Sequence, residues 1–489
     1  MAPTHVAASD HLSLERAMRA AYADNASLQA ERFKTRVADD EVAKAKSGYR
    51  PNIYGSAGIG GASTKEDGRK RGFRPAYSYG LTVEQPLFDG FQTQNSVRSA
   101  EAGVRSSRAG LAASENEILF ATASAYLDVL RDEGRVLYRR KSLTKLKRIL
   151  VGVRDRYEKK QSTSTDVSQT QARLARASAD LDEAIGQLRI SALRFQEVTR
   201  LDARGFRMPR LPSSHLPKTL KVAKARARRN SPVLAASRFR LAGARADAKT
   251  VRGAFLPQAS VVANYERYES DDQLVSETDD ASVFAKVRVP LYQQGKTSAQ
   301  YRQAINTISQ RQREAEAASH KIGRAVGEAW VSYRSAQSRV AARQRAVTAS
   351  ERAFRGLQEE HRLGTRSILD VLDAERDLID ARIALLETKR DAHVGAYLVL
   401  RSTGELTLAK FAPGADRYAP EEHYAKVKNK VWGTLPTGAA NSRFLGGDPE
   451  DGGSVARFAK SAPRLGARPR DDRGGWSATV TRSTNRDGR

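Results

Sequence analysis

The sequence predicts a mainly α-helical fold with a small β part, in which long antiparallel coiled-coil hairpins occur twice and four strands are added. Three observations predict it. The two halves of the chain match at a nearly constant offset, long stretches carry heptad repeats, and each half has one pair of alternating segments beside prolines. Sustained heptads are typical of coiled coils, and period-two alternation is typical of half-exposed strands. An aromatic content of 7% fits long helices better than a large globular core.

The duplication divides the chain into segments. Pro51 matches Pro257 at an offset of 206, and Asp166 matches Asp370 at an offset of 204. Matches at a fixed distance indicate a repeated structural unit. The predicted divisions are a first repeat over 12–200, a linker over 201–218, a second repeat over 219–410, and a tail over 411–489 that holds one short helix and is otherwise disordered.

Each repeat opens with two short amphipathic helices and continues with a pair of strands. The helices are predicted to break at residues 24–25 in the first repeat and at 230–232 in the second. An extended segment then follows Pro51 and Pro257, because proline is disfavoured inside helices and is tolerated at the start of a strand.

The predicted strands have one apolar face and one polar face. A length of about ten residues and apolar faces rich in tyrosine and valine favour strands that cross a membrane. Because about eight strands are the minimum for a closed barrel, four strands predict a barrel that several chains share. The apolar positions recur every second residue and are Ile53, Gly55, Ala57 and Ile59; Tyr77, Tyr79, Leu81 and Val83; Val261, Ala263 and Tyr265; and Val283, Ala285, Val287 and Val289.

A helical pattern of about 65 residues follows Pro86 and, in the second repeat, Pro290. At about 1.5 Å per residue, each such helix is ~100 Å long, far more than a bilayer requires. Hydrophobic residues every seven positions on the outgoing and returning helices predict two antiparallel coiled coils. They are Val129, Val136, Leu143, Leu150 and Tyr157; Val167, Leu174, Leu181, Leu188 and Phe195; Tyr333, Val340, Val347 and Phe354; and Val371, Leu378, Leu385, Ala392 and Val399.

The most distinctive stretch lies at the turn of the second hairpin. Gly364 supplies the left-handed backbone that ends one helix, and Ser367 can cap the next one. Asp370 and Asp373 place carboxylates near the start of that helix, where the helix dipole favours them. The equivalent turn of the first hairpin is predicted at residues 161–167, with Gln161 at the place of the glycine.

Composition excludes several kinds of site. The chain has no cysteine, so disulfides, thiolate metal sites and a cysteine nucleophile are impossible. The net charge of +28 would suit nucleic acid, but we interpret the basic residues as dispersed along helices among acidic ones. The expectation is therefore solvated helix faces, with anionic lipid headgroups as a further counterpart and no nucleic-acid partner.

An enzyme is not expected. The seven histidines form no His-Glu-x-x-His or other metal-binding spacing. The glycine-rich residues 55–61 lack the Gly-Lys-Ser/Thr ending of a phosphate-binding loop. Asp370 and Asp373 could form an acid–base pair, but a three-residue spacing near a helix start more often reflects the helix dipole. No catalytic residue and no cofactor is predicted.

The chain resembles the TolC family of outer-membrane export channels. The resemblance rests on the duplicated order of helices and strands over residues 12–410 and on Gly-Thr-Arg-Ser-Ile-Leu-Asp-Val-Leu-Asp-Ala at 364–374. It implies a homotrimer in which each chain gives four strands to a twelve-stranded barrel in the outer membrane and its helices to a periplasmic tunnel. Residues 1–9 show neither the basic nor the apolar region of a secretory signal, so a processed chain or a misplaced start is expected.

The resemblance also implies a gate at the hairpin turns. Asp370 and Asp373 stand at the positions of the aspartates that line the periplasmic constriction of the family. A latch joins the two turns, and His361 stands where the family has a tyrosine. The expected members of this latch are Thr165, Asp166, His361 and Arg366.

The implied function is a channel-tunnel that exports proteins or small molecules. The tail at 418–432 resembles extensions of members that serve type I secretion, so the outer-membrane component of such a system is expected. The alternatives are the outer-membrane component of a multidrug efflux pump and, from a different class, a soluble basic coiled-coil scaffold. The implied partners are a periplasmic adaptor protein, an inner-membrane exporter such as an ABC transporter, and outer-membrane lipid.

Overall fold

A computed structural model of the chain describes residues 11–62, 65–66, 69–70, 74–270 and 277–434. The chain divides into two units, Met1–Gly433 and Thr434–Arg489. All the described helices and strands belong to the first unit. The disorder expected after the short tail helix lies outside the described residues.

Both halves of the chain contain two short helices, two long strands and two long helices in the same order, which confirms the predicted fold class. The limits of the two repeats and of the linker remain predictions. None of the described helices is both long and apolar enough to cross a membrane. In the first half the elements are α1 Leu14–Asp24, α2 Ala26–Lys46, β1 Asn52–Ala62, β2 Lys65–Glu66, β3 Arg69–Lys70, β4 Arg74–Phe88, α3 Gln92–Glu158 and α4 Ser164–Thr199. In the second half they are α5 Leu220–Asn230, α6 Pro232–Gly253, β5 Gln258–Ser270, β6 Glu277–Arg288, α7 Lys296–Arg362 and α8 Ile368–Ser402, followed by α9 Leu408–Phe411 and α10 Pro420–Val427.

Polar caps separate the short helices where the sequence predicts breaks. Asn25 lies between α1 and α2, and its side-chain oxygen accepts hydrogen bonds from the N–H groups of Ser27 and Leu28 at 3.1 and 3.2 Å. Ser231 lies between α5 and α6, with its hydroxyl oxygen 3.5 Å from the N–H nitrogen of Leu234. Because such caps satisfy N–H groups that a helix start leaves free, they fix both breaks as predicted.

The four long strands form one antiparallel sheet in the order β1-β4-β5-β6, and β2 pairs with β3 separately. β4 and β5 come from different halves of the chain, so their pairing joins the two halves. Ile53 lies opposite Val83, Val83 opposite Ala263, and Ala263 opposite Val283. The predicted apolar positions therefore share one face of the sheet, where Ile53 and Val283 are 60% and 72% exposed.

The largest apolar core lies where α1, α3 and α4 meet the segment between the two halves. Tyr126 of α3 is fully buried, and its hydroxyl lies 2.7 Å from the carbonyl oxygen of Leu12. The same hydroxyl accepts a hydrogen bond from the N–H of Arg207 at 3.0 Å. The ring of Phe206 packs edge-on against that of Tyr126, with 4.7 Å between centroids. The segment predicted as a linker thus contributes side chains to the core.

The heptad positions differ in burial along the coiled coils. Val129 and Val371 are buried, as predicted for positions on a helix seam, whereas Tyr157 is 48% exposed. Tyr157 is the last residue but one of α3, and the returning helix begins only at Ser164. A seam position that no helix faces stays in water, so the heptad prediction is wrong at the very end of this hairpin.

Residues 405–433, which we call the C-terminal strap, pack on the start of the chain. Leu406 is fully buried in the same core as Tyr22 of α1. The short tail helix predicted from the sequence is α10, which packs on α2. There, the Nδ1 atom of His423 lies 2.9 Å from a carboxylate oxygen of the fully buried Asp39. Burial raises the pKa of Asp39, although the hydrogen bond with His423 opposes that effect.

Candidate functional site

The two hairpin turns have the same backbone design although their residues differ. Lys160 and Gly364 both adopt left-handed backbone, with φ of 59° and 82°. In each turn the next residue closes a six-residue loop, since the N–H of Gln161 bonds the carbonyl of Arg156 at 2.7 Å and the N–H of Thr365 bonds that of Glu360 at 3.0 Å. This pattern satisfies the last carbonyls of the outgoing helix. The residue that corresponds to Gly364 is thus Lys160, and the placement of Gln161 at this position was wrong.

A capping box starts the returning helix of each hairpin. The Thr163 hydroxyl accepts a hydrogen bond from the N–H of Asp166 at 3.1 Å, and the Asp166 carboxylate accepts one from the N–H of Thr163 at 3.0 Å. Ser367 and Asp370 exchange the same two bonds, both at 3.3 Å. The bond from the Thr163 N–H lowers the pKa of Asp166. Asp166 and Asp370 therefore each stabilise the start of their own helix.

Arg366 finds its ion-pair partner within its own turn. Its Nε atom lies 2.9 Å from a carboxylate oxygen of Glu360, on the other side of the turn. The hydrogen bond with Glu360, together with the charges of Glu360 and Asp370, raises the pKa of Arg366. Within one chain Arg366 pairs neither with Asp166 nor with Asp370. Thr165 is exposed on the first turn of α4 and makes no side-chain hydrogen bond to a described residue.

His361 connects the two hairpins within the chain. The Arg156 guanidinium donates a hydrogen bond to Nε2 of His361 at 2.8 Å. On the other side of the ring, Nδ1 lies 2.8 Å from the carbonyl oxygen of Arg366. Because Nε2 accepts and the carbonyl can only accept, this arrangement requires the neutral ring with its proton on Nδ1. His361 thus joins the end of α3 to the turn after α7.

Asp373 and Glu375 make two further connections between the hairpins. Asp373 is exposed and pairs with Arg173 of α4, with 2.5 Å between the charged atoms. Glu375 is only 3% exposed and accepts a hydrogen bond from the hydroxyl of Ser142 of α3 at 3.0 Å. Burial raises the pKa of Glu375, although the bond from Ser142 and the charge of Lys145 oppose it. A carboxylate beside the heptad seam of α8 was the only sequence signal for Glu375.

An apolar cluster fills the space between the ends of the two hairpins. Burial lowers the pKa of Lys145, whose ammonium lies 3.4 Å from the centre of the Phe354 ring. The cluster holds the turns in place, so the polar contacts above it have fixed partners. Its buried members are Leu146, Val153, Phe354, Ile368, Val371, Leu372 and Leu378.

The sequence profile described as outer membrane efflux protein matches residues 17–199 and 224–397. This chain belongs to that family. As an outer membrane efflux protein it is a channel component of the outer membrane with its helices in the periplasm, and it is not an enzyme. The hypothesis of a soluble scaffold is therefore wrong. Within the described ranges no group of three His, Asp or Glu side chains is placed to hold a metal ion.

Three similar proteins illustrate how far the resemblance extends. The outer membrane efflux protein BepC of Brucella suis biovar 1 is 32% identical over 426 residues, covering 86% of this chain and 91% of BepC. The proteases secretion protein PrtF of Dickeya chrysanthemi is 26% identical over 419 residues, covering 78% of this chain and 85% of PrtF. The Campylobacter jejuni CmeC outer membrane channel has the same fold, with a TM-score of 0.72 at 14% identity over 85% of this chain and 89% of CmeC.

Proposed function

We propose that this efflux protein is the outer-membrane channel-tunnel of a type I secretion system, and that it works as a homotrimer. One observation carries the channel part of this proposal. An exposed apolar face runs across all four strands of one sheet, and the same chain continues into two helices of 67 residues each. At about 1.5 Å per residue, those helices reach ~100 Å from the strands, which is far more than the thickness of a bilayer.

The trimer follows from the edges of the sheet. β1 and β6 are the outer strands of the sheet, and each has one side without a neighbouring strand among the described residues. Lipid cannot satisfy free N–H and C=O groups, so membrane strands need partners on both sides. Pairing β6 of one copy with β1 of the next, three times over, would close a barrel of twelve strands. Four strands alone are too few to close one.

The gate of the proposed channel lies at the hairpin turns. Three copies would bring three Asp370 and three Asp373 side chains towards one axis. Within each chain, His361 with Arg156 and Asp373 with Arg173 already tie the two hairpins together. The latch between Arg366 and Asp166 of a neighbouring copy would have to replace the bond from Arg366 to Glu360, which is exposed and therefore weak.

Cation selectivity tests this position of the gate. The variant Asp370→Ala with Asp373→Ala should lower the preference for cations over anions in planar bilayers, because carboxylates in a narrow pore concentrate cations. The matched control is Asp182→Ala with Glu183→Ala, which removes two exposed carboxylates from α4 away from the turn. An unchanged preference in the first variant, or an equal loss in the control, would place the constriction elsewhere.

We further propose that the turns bind a periplasmic adaptor protein and an inner-membrane exporter of the ABC class. The shared design of the two turns supports this proposal, because it presents two rigid and similar ends side by side. Type I secretion is supported by PrtF and by the alkaline protease secretion protein AprF of Pseudomonas aeruginosa, which is 24% identical over 337 residues. Multidrug efflux is the second candidate, and the 32% identity to the efflux protein BepC favours it.

One complementation experiment separates the two candidates. The chain is produced in a host without its own channel of this family, together with the adaptor and ABC exporter of a protease secretion system. Protease in the medium supports type I secretion. A parallel strain with an efflux adaptor and pump is tested for resistance to dyes and detergents, and resistance without secreted protease favours multidrug efflux. If the channel assembles correctly but the strains show neither secreted protease nor resistance, both proposals are contradicted.

A further inference from the structure

Part of the excess of positive charge lies in a stretch of the second half that has almost no acidic residues. Residues 218–260 contain eleven Lys and Arg and a single acidic residue, Asp247. The matching residues 12–54 of the first half contain eight basic and six acidic residues. The interpretation that acidic residues lie among the basic ones is therefore wrong for residues 218–260.

The equivalent helices α1 and α5 differ in what covers them. Met18 and Tyr22 of α1 are buried under the C-terminal strap, and the guanidinium of Arg19 bonds the carbonyl oxygen of Pro413 at 2.7 Å. At the offset of 206, Lys224 and Arg228 of α5 occupy the positions of Met18 and Tyr22, and both are exposed. An apolar covering segment cannot pack on two charged side chains without desolvating them. The face that the strap covers in the first half is thus open and charged in the second.

The open face is basic, and its charged side chains have no partner among the described residues. We call it the α5 basic face. The opposite side of α5 is anchored by Ala223 and Ala227, which pack on Val326 of α7. Arg226 does not belong to the open face, because it forms an ion pair with Glu405 of the same chain at 3.1 Å. The α5 basic face consists of five exposed residues that have no ion pair or hydrogen bond with any described residue, namely Lys218, Lys221, Lys224, Arg228 and Arg229.

The position of this face along the molecule excludes lipid headgroups as its partner. The strands and the adjoining helix ends define the membrane-proximal end, where Gly253 of α6 packs directly on Gly90. α7 starts there at Lys296, and α5 contacts α7 at Val326, thirty residues further along. At about 1.5 Å per residue this is roughly 45 Å from the start of α7, whereas screened charges act over about 8 Å.

The composition of the face is unlike that of a stable protein interface. Three of its five charged residues are lysines, and it has no exposed aromatic residue to serve as an anchor. Interfaces between proteins are depleted in lysine and rely on buried aromatic or arginine anchors. Several flexible cations without apolar anchors suit instead a hydrated polymer with many negative groups, which they bind through many weak contacts.

We propose that the α5 basic face binds a carboxylate-rich polymer of the periplasm, namely the peptide stems of the cell-wall peptidoglycan. This partner lies in the compartment of the helices and carries free carboxylates at a high density. Binding would fix the tunnel to the cell wall at a set depth. It does not depend on which cargo the channel exports or on which inner-membrane exporter it serves.

The test is co-sedimentation of the full chain, purified in detergent, with isolated peptidoglycan sacculi. The variant combines Lys221→Gln, Lys224→Gln, Arg228→Gln and Arg229→Gln. Four lost surface contacts should weaken binding by about tenfold, since each contributes only a few tenths of a kcal/mol. Binding of the parent chain should fall with added NaCl and with amidation of the carboxylates of the sacculi.

The control removes the same charges from α3, with Lys141→Gln, Lys147→Gln, Arg148→Gln and Arg154→Gln, all of them exposed and without a described partner. It should bind sacculi within about twofold of the parent. An equal loss of binding to sacculi in both variants would show that binding depends only on net charge, which would overturn the proposal. Unchanged binding of the α5 variant to sacculi would overturn it too.

Two further measurements exclude other partners for the same face. Phosphatidylglycerol vesicles should bind the parent and the α5 variant equally, and a selective loss would assign the face to lipid instead. Light scattering should give the same oligomeric state for both proteins. Dissociation of the α5 variant would mean that the face contacts a second copy of the chain, and the cell-wall proposal would fail.

Discussion

The two outgoing helices, α3 and α7, have the same length of 67 residues but very different surroundings. α3 has eighteen buried residues and α7 only seven. The returning helices show the opposite order, with fifteen buried residues in α8 and five in α4. α3 and α8 therefore form the middle of the chain, and α4 and α7 form its two flanks. A duplicated sequence has produced one inner and one outer helix from each copy, so equivalent positions are not equivalent in energy.

Apolar residues on the flanks support this description. Ile190 and Leu193 of α4 and Ile305 and Val331 of α7 are all exposed in the single chain. In the proposed trimer the flank of one copy lies beside the opposite flank of the next. Such residues would then find partners between copies, while the α3–α8 core depends on one chain alone.

The largest effect is expected from a matched pair of substitutions on the two outgoing helices. Leu127 of α3 is 1% exposed, and Val331 of α7, at the offset of 204, is 63% exposed. Leu127→Ala should lower the free energy of unfolding by about 2–5 kcal/mol, because it leaves a cavity in the core. Val331→Ala should cost less than about 1 kcal/mol. Thermal unfolding in detergent compares them, and equal losses would show that α7 is as deeply packed in the assembled protein as α3.

The two hairpin turns should respond in opposite directions to changes at their left-handed residues. Lys160→Gly should stabilise the first turn by about 0.5–1 kcal/mol, because glycine adopts positive φ without the strain that a side chain adds. Gly364→Ala should destabilise the second turn by about 1–2 kcal/mol for the same reason. Hydrogen exchange of the amides in each turn measures the local effect. A Lys160→Gly variant that exchanges faster would contradict the shared design.

Glu375 should make the middle of the chain sensitive to pH. Because burial raises the pKa of Glu375 in the folded chain, its charged form is disfavoured there, and stability should fall as pH rises from the ordinary carboxyl pKa to the raised one. Glu375→Gln should remove this fall and stabilise the chain by roughly 0.5–1 kcal/mol at neutral pH, with no gain at acidic pH. Unfolding midpoints across pH test this. The exposed Asp377→Asn variant is the control, because it keeps Glu375 and should therefore keep the fall in stability that Glu375 causes.

The smallest effect on stability is expected at the link between His361 and Arg156. Removal of either side chain should cost about 0.2–1 kcal/mol, and the double variant should cost no more than one of the singles, because the two share one contact. Looser hairpin ends should nevertheless raise single-channel conductance in planar bilayers. Arg154→Ala, two positions away and without a described partner, should conduct like the parent. Additive losses in the double variant would show that the link is not formed in the assembled channel.

Periodicity was sufficient to predict most of the fold. The alternation in the strands and the heptads in the helices come directly from backbone geometry, so they do not depend on how the rest of the chain packs. The caps at Asn25 and Ser367 could be predicted for a similar reason, since the free N–H groups at a helix start need an acceptor from a residue nearby in the sequence. The exposed Tyr157 was not predictable, because a heptad shows which side of a helix is apolar but not where its partner helix ends.

The candidate site was less predictable than the fold. The turns were found from Gly364 and Ser367, but the partner of Arg366 depends on which of several nearby carboxylates a long side chain reaches. Arg366 pairs with Glu360 because the turn brings the Glu360 side chain back beside Arg366. The contact between His361 and Arg156 joins positions 205 residues apart, and only the packing of one hairpin on the other creates it.

The pairing of β4 with β5 has a consequence for how the chain folds. Phe88 lies opposite Ala259, so the first hairpin, with α3 and α4, is enclosed in the loop between these two strands. Closing such a long loop in an unfolded chain is entropically costly and slow. If the α3–α4 hairpin forms first, its two ends lie close together. The effective length of the loop between β4 and β5, and so the entropic cost of closing it, is then smaller. The sheet should therefore assemble after the hairpins, and the membrane part of the protein is completed last.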